Sequence, residues 1–255
     1  MTKRTILITG GASGIGFGIA SNMATQGHHV VIADINENAA QRAADEIIQN
    51  KGAASAISVD VCNPNQVAAL PEKLNGVNVD VLVNNAGIQH VSRLEDFPAE
   101  KWQQLINIML VGPALLTQAF LPHMRAQNFG RIINVGSIHS VVASPFKSAY
   151  VAAKHGLLGF AKTVALETYD CDVTINTLCP AYVKTPLVEQ QIAAQAKENN
   201  LSEEDVVNKI MLEPMPKKQF ISVEELADTT AFLMSNSARN ITGQTMILDG
   251  GWTAR

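Results

Sequence analysis

Short runs of apolar and β-branched residues recur along the chain. Between them lie longer stretches whose apolar positions return every third or fourth residue. The short runs predict strands at Arg4–Thr9, His29–Ala33, Ala54–Val59, Val79–Val83, Gly130–Val135, Thr174–Leu178 and Thr245–Leu248. The longer stretches predict helices at about Gly14–Gln26, Glu37–Lys51, Asn65–Leu74, Ala99–Arg125, Ser148–Tyr169 and Val223–Ser235. Strands alternating with helices imply right-handed βαβ units, hence a parallel sheet wound on both faces. Apolar runs such as Val79-Asp80-Val81-Leu82-Val83 suit strands buried on both sides. Ser222 followed by Glu225 forms a capping box that fixes the start of the last helix. Pro113 should kink the long fourth helix. No linker, repeat or low-complexity tract interrupts residues 1–255, so one doubly wound α/β domain is expected.

One segment breaks the alternation. Residues 185–215 are helical in pattern and rich in Gln, Glu, Asn and Lys, yet no strand follows before the Ser222 helix. The segment leaves the C-terminal end of the sixth strand, the edge at which ligands bind in open α/β sheets. It reads as a lid over that edge or as a surface insertion. Having few apolar residues, it is expected to dock weakly.

Composition narrows the partners. A formal charge of −4 with scattered Lys and Arg argues against nucleic acid and against a membrane surface. No apolar stretch is expected to span a bilayer, and the first strand follows the N-terminus too closely for a signal peptide. Cys62, Cys171 and Cys179 are odd in number and share no metal-ligand spacing. They fit buried thiols in a reducing compartment, so a soluble, cytoplasmic protein without a metal is expected.

Thr9-Gly10-Gly11-Ala12-Ser13-Gly14-Ile15-Gly16 joins the first strand to the first helix. Glycines there let the backbone turn tightly and approach a pyrophosphate, which the helix N-terminus stabilises. Asp34 ends the second strand, eighteen residues after Gly16. A carboxylate at that place accepts hydrogen bonds from a ribose 2′-hydroxyl and repels a 2′-phosphate. With Ile35 beside it and no Arg or Lys nearby, NAD rather than NADP is expected; the other reading of Asp34 is a helix N-cap. Asp60 and Val61 end the third strand, where they could border an adenine, although Asp60 could equally belong to a turn with Asn63-Pro64. Asn84-Asn85-Ala86-Gly87 ends the fourth strand at the same edge, where a nicotinamide ribose would lie.

Tyr150 and Lys154 are four residues apart on one predicted helix and therefore share a face. A phenol of pKa about 10 is a poor base at neutral pH. A neighbouring ammonium lowers that value and would make Tyr150 a general base toward an alcohol. Ser137, thirteen residues earlier, could hydrogen-bond the same oxygen.

The glycine-rich turn, the Asn-Asn-Ala-Gly strand end, Ser137 and Tyr150-xxx-Lys154 together resemble the short-chain dehydrogenase/reductase family over essentially the whole chain. The resemblance implies a seven-stranded Rossmann-type fold and a nicotinamide cofactor. It implies a tetrad in which Ser137 positions substrate, Tyr150 exchanges the proton, and Lys154 binds the nicotinamide ribose. Asn107 matches the fourth member, at the head of a water-linked proton path; by its residue type alone it is a polar group in an apolar helix. Cys179-Pro180-Ala181 departs from the family's Pro-Gly, while Pro180, Val183 and Thr185 match its cofactor contacts.

Gln89, His139, Lys147 and Gln191 all fall at the predicted catalytic edge. A lysine, two amides and an imidazole around one volume suit a carboxylate, because a desolvated anion must be paired and hydrogen-bonded. The segments 87–92, 137–140, 142–150 and 185–192, with the ending Gly250-Gly251-Trp252-Thr253, are similar to the bacterial D-3-hydroxybutyrate dehydrogenases within that family. That similarity implies reversible NAD-dependent oxidation of (R)-3-hydroxybutyrate to acetoacetate, with the four polar residues holding the carboxylate. Trp252 and residue 182 would wall off the methyl end, although Tyr182 stands where tryptophan is expected. The Tyr150 helix is apolar nearly all round. Burial against another subunit would explain this, and the family resemblance implies a homotetramer.

Overall fold

Residues 6–8 set the layering: Ile6 and Ile8 face one core and Leu7 the other, because side chains alternate along a strand. The computed structural model describes residues 2–254, and all of their side chains except those of residues 186, 187, 190, 194, 198 and 199. Seven parallel strands form one sheet in the order β3-β2-β1-β4-β5-β6-β7. They are β1 (Thr5–Thr9), β2 (His29–Asp34), β3 (Ala53–Ser58), β4 (Val81–Asn84), β5 (Gly130–Val135), β6 (Val173–Pro180) and β7 (Thr245–Leu248). β6 therefore carries Cys179 and Pro180 inside its ladder, two residues beyond the predicted end. β3 stops at Ser58, which leaves Asp60 and Val61 in the turn that follows.

Helices α1 (Gly14–Thr25) and α2 (Glu37–Gln49) pack on one face of the sheet. The short α3 (Pro64–Ala68) and α4 (Leu70–Lys73) lie on the other; the predicted single helix 65–74 is split at Ala69, with Pro71 in the first turn of α4. The predicted helix 99–125 is three pieces: α5 (Ala99–Ile106), a π-helical turn (Asn107–Val111) and α6 (Gly112–Ala126). In the wide turn the Gly112 N–H reaches back to the Asn107 carbonyl. The irregularity sits just before Pro113, which has no N–H to continue the regular ladder. A second proline, Pro122, is accommodated inside α6.

The expectation that no stretch could span a bilayer needs correction. Ala99–Ala126 is long and apolar enough by length and composition. Leu105, Met109, Leu116, Phe120 and Met124 on this rod are nonetheless buried against the rest of the chain.

After α7 (Ser148–Glu167) and β6, the chain makes its excursion and returns to α10 (Val223–Met234), which packs with α1 and α2. A capping box starts α10: the Ser222 N–H donates to Glu225 Oε2 at 2.7 Å and the Glu225 N–H to Ser222 Oγ at 3.1 Å. The excursion comprises α8 (Pro186–Asn199), α9 (Glu203–Val206) and a π-helical turn (Val207–Met211). It is bounded by a bridge between Val183 and Ile221. Its second half is not weakly docked, contrary to the composition. Val206, Met211, Leu212 and Met215 are buried, and Leu212 and Met215 join the core that holds α1 and α10. Four apolar side chains at the right positions outweigh many solvated polar ones.

Candidate active site

The strands end at one edge, and a cavity of about 440 Å³ runs along it. From the dinucleotide side its lining includes Gly10, Ser13, Gly14, Ile15, Asp34, Asp60, Val61, Asn85, Ala86 and Gly87. Toward the other end come Ser137, His139, Tyr150, Lys154, Pro180, Tyr182, Val183 and Thr185, with Gln89, Lys147 and Gln191. Most residues expected from the sequence are therefore brought together.

The glycine turn is shaped by φ of +60° at Gly10 and +55° at Gly14, values that favour glycine. Gly16 does not line the cavity. A β-carbon on it would overlap the Gly10 carbonyl and the Asn85 amide, so Gly16 permits close packing. Thr9 is likewise set behind the wall. Its hydroxyl accepts from the Asn85 and Ala86 N–H groups at 3.1 and 3.2 Å, which ties the β1 and β4 ends together. The Asn85 amide completes the clamp by donating to the Thr9 and Gly10 carbonyls. Thr9 and Gly16 thus shape the pocket from outside it.

Asp34 closes β2 and accepts from the Asn36 N–H at 3.0 Å and the Ala12 N–H at 3.4 Å. The N-cap of α2 is Asn36, whose side chain accepts from the Ala39 N–H, so Asp34 does not serve as the cap. Its carboxylate faces the cavity beside the exposed Ile35. Asp60 does double duty, lining the cavity while its side chain accepts from the Cys62 N–H at 2.9 Å. Ala181, in place of the expected glycine, avoids the left-handed region and donates its N–H to the Leu248 carbonyl at 2.8 Å.

A dinucleotide fits this lining. The α1 N-terminus opens onto the cavity, and the side chain of its N-cap, Ser13, makes no capping hydrogen bond to the first turn. The Asp34 carboxylate stands at the far end, where a ribose would lie. Among the described residues no cluster of His, Cys, Asp or Glu is placed to hold a metal ion.

Ser137 lies two residues beyond the end of β5 and caps a 3₁₀ turn, Ile138–Ser140; its hydroxyl accepts from the His139 N–H at 3.1 Å. Lys154, 5 % exposed, donates from Nζ to the Val135 carbonyl at 2.6 Å. Burial lowers the Lys154 pKa to about 8. The expectation that Lys154 acidifies Tyr150 does not hold in this structure. Burial raises the Tyr150 pKa, against the pull of a hydrogen bond with Ser137, and the Lys154 ammonium is turned to Val135. Asn107 stands outside the cavity lining, its side chain accepting from the Gln103 amide at 2.9 Å. Its π turn packs instead against α7, through Met109 with Ala149 and Ala153.

Around the substrate end, Gln89 Oε1 is buried without a hydrogen-bond partner among the described residues. Lys147 also lacks one, and burial lowers its pKa. His139 is 5 % exposed and its pKa falls to about 4, through burial first and then the Lys147 and His155 charges. Both its ring nitrogens lie against serine hydroxyls, Nδ1 3.4 Å from Ser137 Oγ and Nε2 2.7 Å from Ser144 Oγ. Open polar capacity therefore rests with Gln89, Lys147, Gln191 and the Tyr182 hydroxyl, and His139 belongs to a serine network. Trp252 does not line the cavity. It stacks on Tyr182 with ring centroids 6.3 Å apart and meets the His139 ring edge-on, backing the wall that Tyr182 forms.

Sequence reasoning missed the apolar lining residues Ile88, Met109 and Val188, and Ser144 beside His139. Nothing local marks the first three, because only the meeting of separate segments makes them neighbours. Of the thiols, Cys179 is buried, whereas Cys62 and Cys171 are half-buried, a correction to the expectation of three buried thiols.

Fold and site define a dinucleotide-dependent oxidoreductase. A family model described as short chain dehydrogenase matches residues 4–196, and the chain belongs to that family. It is 42 % identical over 261 residues to a D-beta-hydroxybutyrate dehydrogenase of Rhizobium meliloti, covering all of both chains. A protein of the same name from Cupriavidus necator is 41 % identical over 260 residues, again with full coverage of both. Among solved structures, one from Beutenbergia cavernae matches with a TM-score of 0.89 at 30 % identity, over 100 % of this chain and 98 % of that one. It is described as an NAD(P)-dependent gluconate 5-dehydrogenase and holds NADP at low occupancy.

Proposed function

We propose that the protein oxidises (R)-3-hydroxybutyrate to acetoacetate, reversibly, with NAD. The observation that carries the substrate class is Lys147, partly desolvated and without a partner among the described residues, in the same cavity as Ser137 and Tyr150 and with Gln89 and Gln191. A cation held there without a counter-charge fits an anionic substrate group. The names of the two full-length relatives agree with this reading. Asp34, with no basic residue beside it, supports NAD over NADP.

In this reading Tyr150, whose phenolate the Ser137 hydrogen bond favours against burial, takes the substrate hydroxyl proton during oxidation and returns it during reduction, and Ser137 hydrogen-bonds the same oxygen. The bound nicotinamide supplies the hydride acceptor or donor. Lys154, on the Tyr150 face of α7, would hold the nicotinamide ribose. Asn107 would act through its backbone, at the wide turn packed on α7. Gly10, Ser13, Gly14, Ile15, Asp60, Val61, Asn85, Ala86, Gly87, Pro180, Val183 and Thr185 would hold the rest of the dinucleotide. Residues 1–255 form one domain in this reading, with α8 as the mobile part of a lid that carries Gln191.

Tyr182 favours a second reading, another short hydroxy acid, because a phenol replaces the apolar end wall expected there. Its hydroxyl makes no hydrogen bond to a described residue, and burial raises its pKa. Assembly as a tetramer is supported by the rod Ala99–Ala126, of whose most apolar window only 39 % is buried within the chain. It is also supported by Leu166, 77 % exposed on α7.

An assay of NADH formation with (R)-3-hydroxybutyrate, its methyl ester and neutral secondary alcohols tests the proposal. The acid should be turned over far faster than the others. Equal rates with the ester would remove the carboxylate reading.

A further inference from the structure

None of the roles above accounts for Ser144. Its hydroxyl lies 2.7 Å from His139 Nε2, and on the other side of the ring Nδ1 lies 3.4 Å from Ser137 Oγ. Ser137 Oγ also accepts from the His139 backbone N–H at 3.1 Å. The imidazole therefore bridges a loop serine to the serine at the reacting centre. It is held in place by edge-on contacts with Tyr150 and Trp252, at centroid distances of 6.0 and 6.3 Å.

We propose that Ser144 is a positioning residue: it holds His139 in the Nδ1–H tautomer and so turns the single Ser137 proton toward the reacting oxygen. The inference rests on the reading of Ser137 and Tyr150 given above. A neutral imidazole carries one N–H, and the hydrogen bond at one nitrogen selects which nitrogen bears it. With the proton on Nε2, the ring would donate to Ser144, and the bare Nδ1 would draw the Ser137 proton away from substrate. The Ser144 proton would then lack an acceptor among the described residues.

With the proton on Nδ1, every group is matched. Ser144 donates to Nε2, at a distance normal for a hydroxyl donor. Nδ1–H and the His139 backbone N–H both donate to Ser137 Oγ, which fills its two acceptor positions and turns its own proton to the cavity side, toward the Tyr150 hydroxyl in the free protein and the substrate oxygen when that is bound. Burial keeps the ring neutral, with a pKa of about 4, so the choice between tautomers persists at neutral pH.

The test uses the whole protein labelled with ¹⁵N-histidine, the His139 signals being assigned by their loss in His139→Gln. The expected result is an Nδ1–H imidazole in the wild type, retained in Ser144→Thr and shifted toward Nε2–H in Ser144→Ala. An Nε2–H wild type, or a Ser144→Ala spectrum unchanged from it, would overturn the proposal. Turnover of (R)-3-hydroxybutyrate gives the second readout. Ser144→Ala should lower kcat roughly tenfold, a fraction of the loss from deleting an oriented donor, with KM little changed. Ser144→Thr should restore it. In a Ser137→Ala background Ser144→Ala should cost nothing further, because Ser144 acts through Ser137. A full additive loss there would show a merely structural effect and overturn the proposal. If the wild type turns over no hydroxy acid or alcohol, the functional reading fails by itself, while the tautomer is still read from the spectrum.

Discussion

In the cofactor half of the cavity, Thr9, Asn85 and Asp34 all bond to backbone partners, whereas in the substrate half Gln89, Lys147 and Tyr182 leave polar atoms open. The first half is assembled from strand ends and a glycine turn, and these three side chains are held by hydrogen bonds within the chain. The second half depends on groups that are desolvated yet unmatched, an arrangement that destabilises the free protein and is relieved by the right ligand. Two lysines make the contrast concrete. Lys154 is buried and bonded to the Val135 carbonyl, while Lys147 is partly desolvated and has no partner among the described residues.

The sharpest way to probe the boundary between the halves is Tyr150→Phe. It should lower turnover by roughly 10³-fold or more, as loss of a general base does, and leave NADH binding within about twofold of wild type. Fluorescence titration of NADH beside steady-state kinetics checks both. A comparable loss of NADH affinity would mean that the hydroxyl belongs to the cofactor half.

Lys147→Ala comes next. Removing the buried partner of an anion costs about 2–5 kcal/mol, so kcat/KM for the acid should fall by roughly 10²-fold. Turnover of a neutral secondary alcohol should change little. Equal losses for both substrates would mean that Lys147 is structural. Asp34→Ala, in the cofactor half, should weaken NAD by about tenfold, the scale of lost hydrogen bonds to a carboxylate, and narrow the gap to NADP. A wild type that uses NADP as well as NAD would defeat that reading.

A subtler effect is the pH dependence of stability. The folded Lys154 pKa is lowered from 10.5 to about 8 by burial. Between those values the unfolded chain binds more protons than the folded one, so this group's contribution to stability rises with pH. Denaturant unfolding at pH 8 and pH 10 should show a gain of about 1–3 kcal/mol that Lys154→Met lacks. Identical slopes in the two proteins would refute the burial argument. The smallest effect concerns the excursion. Backbone amides of α8 should exchange quickly and slow with NAD plus a non-reactive short carboxylate. Those of 206–215 should be protected throughout, because Val206, Met211 and Met215 are buried. Uniform protection from 187 to 212 without ligand would remove the lid.

Hydrophobic periodicity, the glycine turn and the strand-end Asp34 were enough to specify a parallel, doubly wound sheet and the edge that binds a dinucleotide. Those features are local: they depend on neighbours within one turn or one strand, and a single chain segment carries them. The Tyr150–Lys154 spacing was legible for the same reason, since a helix puts residues four apart on one face.

Protonation and partnership were decided only by the tertiary structure. Tyr150 is made less acidic, not more, because desolvation depends on everything packed around α7. Thr9 and Gly16 turned out to brace the pocket from behind, and Trp252 to back Tyr182, because depth from the cavity surface has no signature in a motif. Met215 anchors a segment that its composition marks as loose, since burial of a few side chains is set by where the chain returns. The link from Ser144 through His139 to Ser137 lies within one short segment, but its hydrogen bonds appear only once that loop has folded back on the 3₁₀ turn. Hydrogen-bond partners and local dielectric are properties of the assembled neighbourhood, and residue order alone does not state them.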